Sequence, residues 1–205
     1  MIKAAVFDYG NVLCRVDRSA CNRALAAHSR LDAEAVGGLV WGGAIEEDAE
    51  TGRIDSHEHF LRIKAAIDGE AGWTYERFAE EYMAGILPHP DGEAALLGAR
   101  RLGLRCFVLS NTSFLHARGI FTSEVLCTVP ELHALSFKLG WMKPDPRCWR
   151  WLLDRAGLDA AECIYVDDAL INCEAAAAMG FRVIHCVAAP CDLLHEIRKA
   201  AGTRV

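Results

Sequence analysis

The chain has 205 residues, 52% of them hydrophobic, and a formal net charge of −6. That is enough apolar material for one domain, or one domain with a substantial insert, at about 100–200 residues per domain. The acidic balance, with no basic run, argues against a nucleic-acid partner, and no apolar stretch reaches the ~18 residues of a membrane span.

The first element is MIKAAVF, where residues 2–7 form an apolar run with strand character. It lacks the ordered basic segment, apolar segment and cleavage site of a secretion signal, so a cytoplasmic location is expected. Residues 15 to about 88 then carry no convincing strand, and helical patterns fall near 19–29, 32–40, 56–68 and 74–85. Asp55-Ser56-His57-Glu58 has the form of a capping box, with Asp55 accepting from the Glu58 amide and Glu58 reaching back. Some 70 residues are too many for one crossover helix. We therefore read 15–88 as an inserted helical cap, with 1–14 and 89–205 forming the core.

From residue 94 onward, strand-like runs alternate with helical patterns. The runs at 104–109, 163–166 and 182–187, and a weaker one at 132–136, lack polar alternation, as strands covered on both faces do. Between Pro146 and Gly157, Trp149, Leu152, Leu153 and Ala156 follow helical spacing. Before Gly180, the residues Ile171, Ala175, Ala178 and Met179 predict one narrow buried face. The alternation predicts an α/β fold, a Rossmann-like doubly wound parallel sheet carrying an inserted all-helical cap. The nine cysteines, at 14, 21, 106, 127, 148, 163, 173, 186 and 191, are odd in number and form no C-x-x-C pair. They read as small buried hydrophobes in a reducing compartment rather than as disulfides or zinc ligands.

In such a sheet a ligand binds beyond the carboxyl ends of the strands. Four chemistry-bearing stretches fall there: Asp8, then Ser110-Asn111-Thr112, then Lys143 in GWMKPDP, and finally Asp167-Asp168. A nucleophile or ligand, hydroxyl and amide donors, a cation and a carboxylate pair suit an anionic group held by a metal and a lysine. Taken singly, each has a plainer reading: a capping Asp, a strand-end turn, a solvated lysine, a turn-and-cap pair. Three carboxylates brought together would repel one another without a cation, which favours the metal reading. His57 and His59 fall in the first turn of a helix and point apart, so they do not form a ligand pair. His89, between Pro88 and Pro90, reads as a hinge or linker residue. Trp41, in LVWGGA, reads as a core side chain at a helix end, with a substrate-facing role as the alternative.

FDYGNVL, VLSNT, KPDP and VDDALIN, in that order, resemble the four motifs of the haloacid dehalogenase superfamily. The likeness spans the whole chain, and the insert lies where that superfamily places its small helical cap. The chain is similar in particular to the branch of small bacterial sugar-phosphate phosphatases, including glucose-1-phosphate phosphatase, that also read Asp-x-Gly-Asn. It also resembles the amino-terminal phosphatase domain of soluble epoxide hydrolase. The resemblance implies a phosphoric monoester hydrolase acting on a small phosphorylated metabolite, such as a sugar phosphate. It implies Asp8 as the nucleophile that forms an aspartyl-phosphate. It implies Mg2+ held by Asp8, the Gly10 carbonyl and Asp168, with Asp167 on a water of the ion and Asn172 behind it. It also implies Ser110 and the Asn111 amide on phosphate oxygens, and Lys143 neutralising Asp8 and the transferring group.

The departure is Gly10, where many phosphatases of the superfamily carry a second aspartate as general acid, help worth ~10²–10⁴-fold. Only the backbone carbonyl is needed for the metal, so Gly10 implies impaired acid catalysis rather than a missing site. It implies a preference for aryl, acyl or anomeric phosphates over alkyl esters. Two alternatives stand beside this reading. A 2-haloacid dehalogenase-type hydrolase tolerates Gly10, but that branch has serine and asparagine where this chain has Asp167-Asp168, and tyrosine where it has Trp149. The other is a catalytically weak binding or regulatory module that keeps the fold.

Overall fold

The structure, a computed structural model, describes residues 1–187 and 192–202. Its elements begin with β1 (Ala4–Phe7), β2 (Cys14–Val16), α1 (Arg18–Ala26), α2 (Ala33–Val40), α3 (Ala44–Glu50), α4 (Ser56–Ala66), α5 (Tyr75–Met83) and β3 (Ile86–Pro88). There follow α6 (Pro90–Arg101), β4 (Arg105–Ser110), α7 (Phe114–Thr122), α8 (Glu124–Thr128), β5 (Leu132–Leu135) and α9 (Ser136–Leu139). The chain closes with α10 (Pro146–Ala156), β6 (Cys163–Asp167), α11 (Leu170–Ala178), β7 (Arg182–His185) and α12 (Leu193–Ala201).

Five strands form one parallel sheet in the order β5-β4-β1-β6-β7. They fall on the five apolar runs, and the layers explain why those runs lack polar alternation. Successive side chains point to opposite faces, and both faces are covered. Ala5, Phe7, Cys106, Val108, Ile164 and Val166 pack with Leu96 of α6 and Leu193 and Ile197 of α12. Their neighbours Ala4, Val6, Phe107, Leu109, Cys163 and Tyr165 pack with Trp149 and Leu152 of α10 and Ala176 of α11. The central strand β1 lies between β4 and β6, where the winding direction changes. A crevice opens at that switch point, and Asp8 is the first residue beyond β1.

Between Val16 and Ile86 the chain forms α1 to α5, which pack around an apolar cluster of Leu25, Val36, Val40, Phe60, Ile63, Phe78 and Tyr82, joined by Leu115 of α7. The expectation that 15–88 holds no strand is corrected at both ends. Cys14–Val16 and Ile86–Pro88 pair as an antiparallel ribbon, whose first strand crosses the limit drawn at 14/15 and whose second ends at the limit drawn at 88/89. Three-residue strands are too short to show a period, which is why the pattern misses them. His89 stands where this ribbon returns to the core, its Nδ1 3.0 Å from the Val12 carbonyl. No described helix is long and apolar enough to cross a membrane.

Three local expectations change. Asp55 accepts from the amides of His57 and Glu58, but the Glu58 carboxylate turns to Arg62 instead of closing the capping box. On α11 the buried face is Asn172, Cys173 and Ala176, and Ile171 is 61% exposed. A polar residue, Asn172, faces inward there because it serves Asp167, and this rotates the helix away from its apparent apolar stripe. α3 is a helix with no apolar period, and Glu46 is one of its buried residues. Cys14, Cys21, Cys106, Cys148, Cys163 and Cys173 are buried free thiols and Cys127 is an exposed one; Cys186 is buried, and Cys191 lies outside the described residues.

Gly52 lies where the turn after α3 meets α9. Its φ is +67°, and a Cβ there would sit 2.1 Å from the Phe137 carbonyl oxygen. Gly42 has a similar φ of +74° but open space around it. Gly42→Ala should therefore cost only the ~1–2 kcal/mol of a left-handed backbone, and Gly52→Ala clearly more, because backbone must move. Urea denaturation of the two variants measures the difference.

Candidate active site

The site is assembled from loops that follow strands. Main-chain bonding places Asp8 first: its N–H donates to the Val166 carbonyl at 2.8 Å, fixing it between β1 and β6. The chain then turns tightly, with the N–H groups of Leu13 and Cys14 both donating to the Tyr9 carbonyl. Asn11 takes the left-handed conformation this turn requires, with φ 54°, a region asparagine tolerates. Its Oδ1 accepts from the Val16 N–H at 3.1 Å, and its Nδ2 donates to Asp168 Oδ2 at 2.8 Å. One side chain thus ties the ribbon to the loop after β6. Sequence reading gave Asn11 no role, and its signal was an asparagine following glycine in a turn.

Lys143 is delivered by a second lock. The Asn111 side chain accepts from the Lys143 N–H at 2.7 Å and donates to its carbonyl at 2.9 Å. The Lys143 ammonium donates to Asp8 Oδ1 at 2.8 Å and to Asp167 Oδ2 at 2.7 Å. All three groups are buried. Asp167 is surrounded by further donors: the Ala169 N–H at 2.8 Å, Asn172 Nδ2 at 3.2 Å from each oxygen, and the Tyr165 hydroxyl.

These surroundings set the charges. Burial works against ionisation of Asp167, but Lys143, Tyr165 and the Ala169 amide outweigh it and hold the carboxyl below its ordinary range. Burial raises Asp8 to about 6, with Asp167 adding to the rise and Lys143 opposing it. Burial would lower Lys143, yet the two carboxylates raise it, so the ammonium stays charged. Oxygens of Asp8, Asp167 and Asp168 lie within 4.8 Å of one another.

A cavity of about 640 Å³ opens above them. Its floor includes Asp8, Gly10, Ser110, Asn111 and Asp168, while Lys143, Asp167 and Asn172 are buried behind it. Asp8, Gly10, Ser110, Asn111, Lys143, Asp167, Asp168 and Asn172 therefore lie at or directly behind one cavity. The hydroxyl of the buried Ser110 is only weakly engaged, 3.3 Å from the Asn111 carbonyl. The walls hold residues that sequence reading missed: Arg18, Glu46, Glu50, Tyr82 and His116. Trp41 belongs to this wall as well as to the packing. Its ring stacks 5.3 Å from Tyr82, the Arg18 guanidinium lies 5.0 Å above it, and its Nε1 donates to Asn22 at 2.6 Å. His57 and His59 do part company: His57 lies beside Tyr75, and His59 is buried against Phe78 and Tyr82.

A family model for haloacid dehalogenase-like hydrolases matches residues 2–180. The chain belongs to this family of hydrolases. It is 30% identical over 188 residues to Phosphatase MT3486 of Mycobacterium tuberculosis (strain CDC 1551 / Oshkosh), a match covering 88% of this chain and 85% of that relative. Among solved structures it is similar to the HAD family enzyme bt-2542 of Bacteroides thetaiotaomicron, in complex with magnesium and inorganic phosphate. That match has a TM-score of 0.82 at 21% identity, over 93% of this chain and 96% of the other. A predicted HAD-like family hydrolase of Porphyromonas gingivalis matches with a TM-score of 0.83 at 22% identity, over 98% of both chains.

Removing the buried ammonium would strand Asp8 and Asp167. Lys143→Met should cost about 3–5 kcal/mol at pH 7 in metal-free buffer, the usual penalty for breaking a buried pair. The carboxylates can shed that charge by binding protons, so the cost relative to wild type should shrink towards pH 5. Urea midpoints at the two pH values check both the size and the sign.

Proposed function

We propose that the protein is a Mg2+-dependent phosphomonoester phosphatase acting through an aspartyl-phosphate on Asp8. The carrying observation is the charge balance at the strand ends. Three carboxylates meet one ammonium there, which leaves two negative charges, the charge of one divalent cation. The donor set fits such an ion. Lys143 engages Asp8 Oδ1 and Asn11 engages Asp168 Oδ2, so Asp8 Oδ2, Asp168 Oδ1 and the Gly10 carbonyl are the oxygens assigned to Mg2+, a hard ion that takes oxygen ligands. Asp167 is already crowded with donors, which supports a place for it and Asn172 behind the ligands rather than among them. When bound, the ion neutralises charge on the phosphoryl group and on the carboxylates around it.

The chain's own residues do the rest. Lys143 fixes the Asp8 carboxylate and offsets its charge. The Ser110 hydroxyl and the Asn111 main-chain N–H donate to the phosphoryl oxygens; the Asn111 side chain is committed to Lys143. Asp8 attacks phosphorus and the leaving oxygen departs; water then attacks the same phosphorus and frees Asp8. Phosphoryl transfer depends mainly on positioning and charge, and this site is built for both. The mycobacterial relative is named a phosphatase, and the bt-2542 structure holds magnesium and inorganic phosphate; both support the reading.

The cavity wall offers the exposed Arg18 guanidinium to oxygen atoms of a substrate and the half-buried Trp41 to its apolar side. That mixture supports a small polyhydroxylated phosphate ester, such as a sugar phosphate, with residues 15–88 closing over it as a cap. A haloacid would bring its carboxylate against surplus negative charge, which weighs against the dehalogenase reading. Free, buried cysteines fit a reducing cytoplasmic setting.

On a panel of phosphorylated metabolites, activity should disappear in EDTA and return with Mg2+. Full turnover after exhaustive chelation would overturn the metal assignment. Asp8→Asn should keep the fold, seen by circular dichroism, and lose nearly all turnover, because an amide cannot form the acyl phosphate. Substantial turnover by that variant, with deamidation excluded by mass, would place the nucleophile elsewhere.

A further inference from the structure

We propose that Glu50, on the cap helix α3, is the proton donor of this reaction and replaces the carboxyl that Gly10 lacks. The proposal rests on the phosphatase reading of Asp8 and adds a general acid to it. Glu46 and Glu50 lie four residues apart on α3, hence on one face of the helix, and both line the cavity that has Asp8 in its floor. Their situations differ. Glu46 is tied down: its Oε2 accepts from the Gly42 N–H at 2.5 Å and its Oε1 from Arg18 at 3.1 Å. Burial and through-space charge act on Glu50 instead. Burial is the largest influence and Glu46 adds to it; Asp8 pushes the same way, while Arg18 and Lys143 oppose them. The net result lifts the Glu50 carboxyl to about 8, so it carries its proton at neutral pH. A phosphate dianion entering the cavity pushes in the same direction.

The other titratable groups on the cavity wall are poorly placed for this task. Burial raises the hydroxyls of Tyr9 and Tyr82 above their ordinary range, and Cys14 and Cys21 up to about 12, so these hold their protons too tightly. Burial lowers His116 to about 3, and its ring is stacked 4.3 Å from Tyr82. Asp17 is lowered by Ser19 and the Ala20 amide and stays ionised. Efficient proton transfer needs a group that titrates near the working pH, and Glu50 is that group.

The steps balance. As the Asp8 oxygen bonds to phosphorus and the ester P–O bond breaks, the Glu50 proton passes to the leaving oxygen, which departs as an alcohol. Water then attacks phosphorus and gives a proton to the Glu50 carboxylate. The P–O bond to Asp8 breaks, inorganic phosphate leaves, and Glu50 is again protonated. Because Glu50 sits on the cap, the acid is in place only when the cap lies over the core.

The test compares wild type with Glu50→Gln in saturating Mg2+, as kcat/KM across aryl and alkyl phosphates of graded leaving-group pKa. Wild type should show a shallow dependence. Glu50→Gln should lose on the order of 10²- to 10⁴-fold with alkyl esters but under about tenfold with nitrophenyl phosphate. The fall in wild-type kcat/KM for alkyl esters above about pH 8 should vanish in the variant. Gly10 supplies a second check. Its φ is not left-handed, and a Cβ there meets only Val16 Cγ2 at 3.6 Å. Adding Gly10→Asp to Glu50→Gln should therefore restore the shallow dependence. An equal loss for every leaving group, or an unchanged slope in Glu50→Gln, would overturn the role of Glu50 while leaving the Asp8 chemistry intact. No turnover of any ester by wild type would instead overturn the phosphatase reading itself.

Discussion

The buried ammonium of Lys143, shared between Asp8 and Asp167, is the contact on which the rest of the site depends. Burying a carboxylate is costly unless it is paired and hydrogen-bonded, and here Asp8 in the cavity floor and Asp167 behind it share one ammonium. Other parts of the fold hold that contact in place. Asn111 grips the Lys143 backbone from the end of β4, Asn172 and Tyr165 saturate Asp167, and Asn11 draws Asp168 towards the turn after β1. The arrangement leaves Asp8 only partly satisfied, its carboxyl raised by burial and by Asp167. A site that holds negative charge in deficit of cation is prepared for Mg2+ and a phosphate ester together.

The insert completes this arrangement from above. Its helices pack around an apolar cluster that Leu115 of α7 joins, and α3 brings acidic side chains to the cavity wall. In the proposed reading the core supplies the nucleophile and the charge balance, and residues 15–88 supply the wall that meets the rest of the substrate. Trp41, Tyr82 and His116 stack across the join between them, so packing of the insert and shape of the cavity are set by the same rings.

The central strands β1, β4 and β6 were legible because they are buried on both faces. Their interiors are apolar runs, and a polar residue at the end of such a run stands out; Asp8, Ser110 and Asp167 were all found this way. What stayed hidden followed the opposite logic. α3 buries Glu46 and brings Glu50 to the cavity wall, so a search for apolar periodicity passes over it. α11 was read with the wrong face because Asn172 is buried for the sake of Asp167, while Ile171 is exposed. The partners of the Asn111 side chain lie 32 residues away, and the ribbon strands pair across the whole insert. Neither long-range pairing leaves a local pattern.

The central claim is that Asp8 attacks phosphorus and that water later attacks the same atom. Single-turnover hydrolysis of a phosphate ester in H2¹⁸O, with excess protein and Mg2+, tests this most directly. Mass analysis of both the released phosphate and the peptide containing Asp8 reads where the water oxygen goes. The account requires ¹⁸O in the phosphate and none in the Asp8 carboxylate. Label appearing in Asp8 would mean that water attacks the carboxyl carbon, as in a dehalogenase-type ester, and would contradict it.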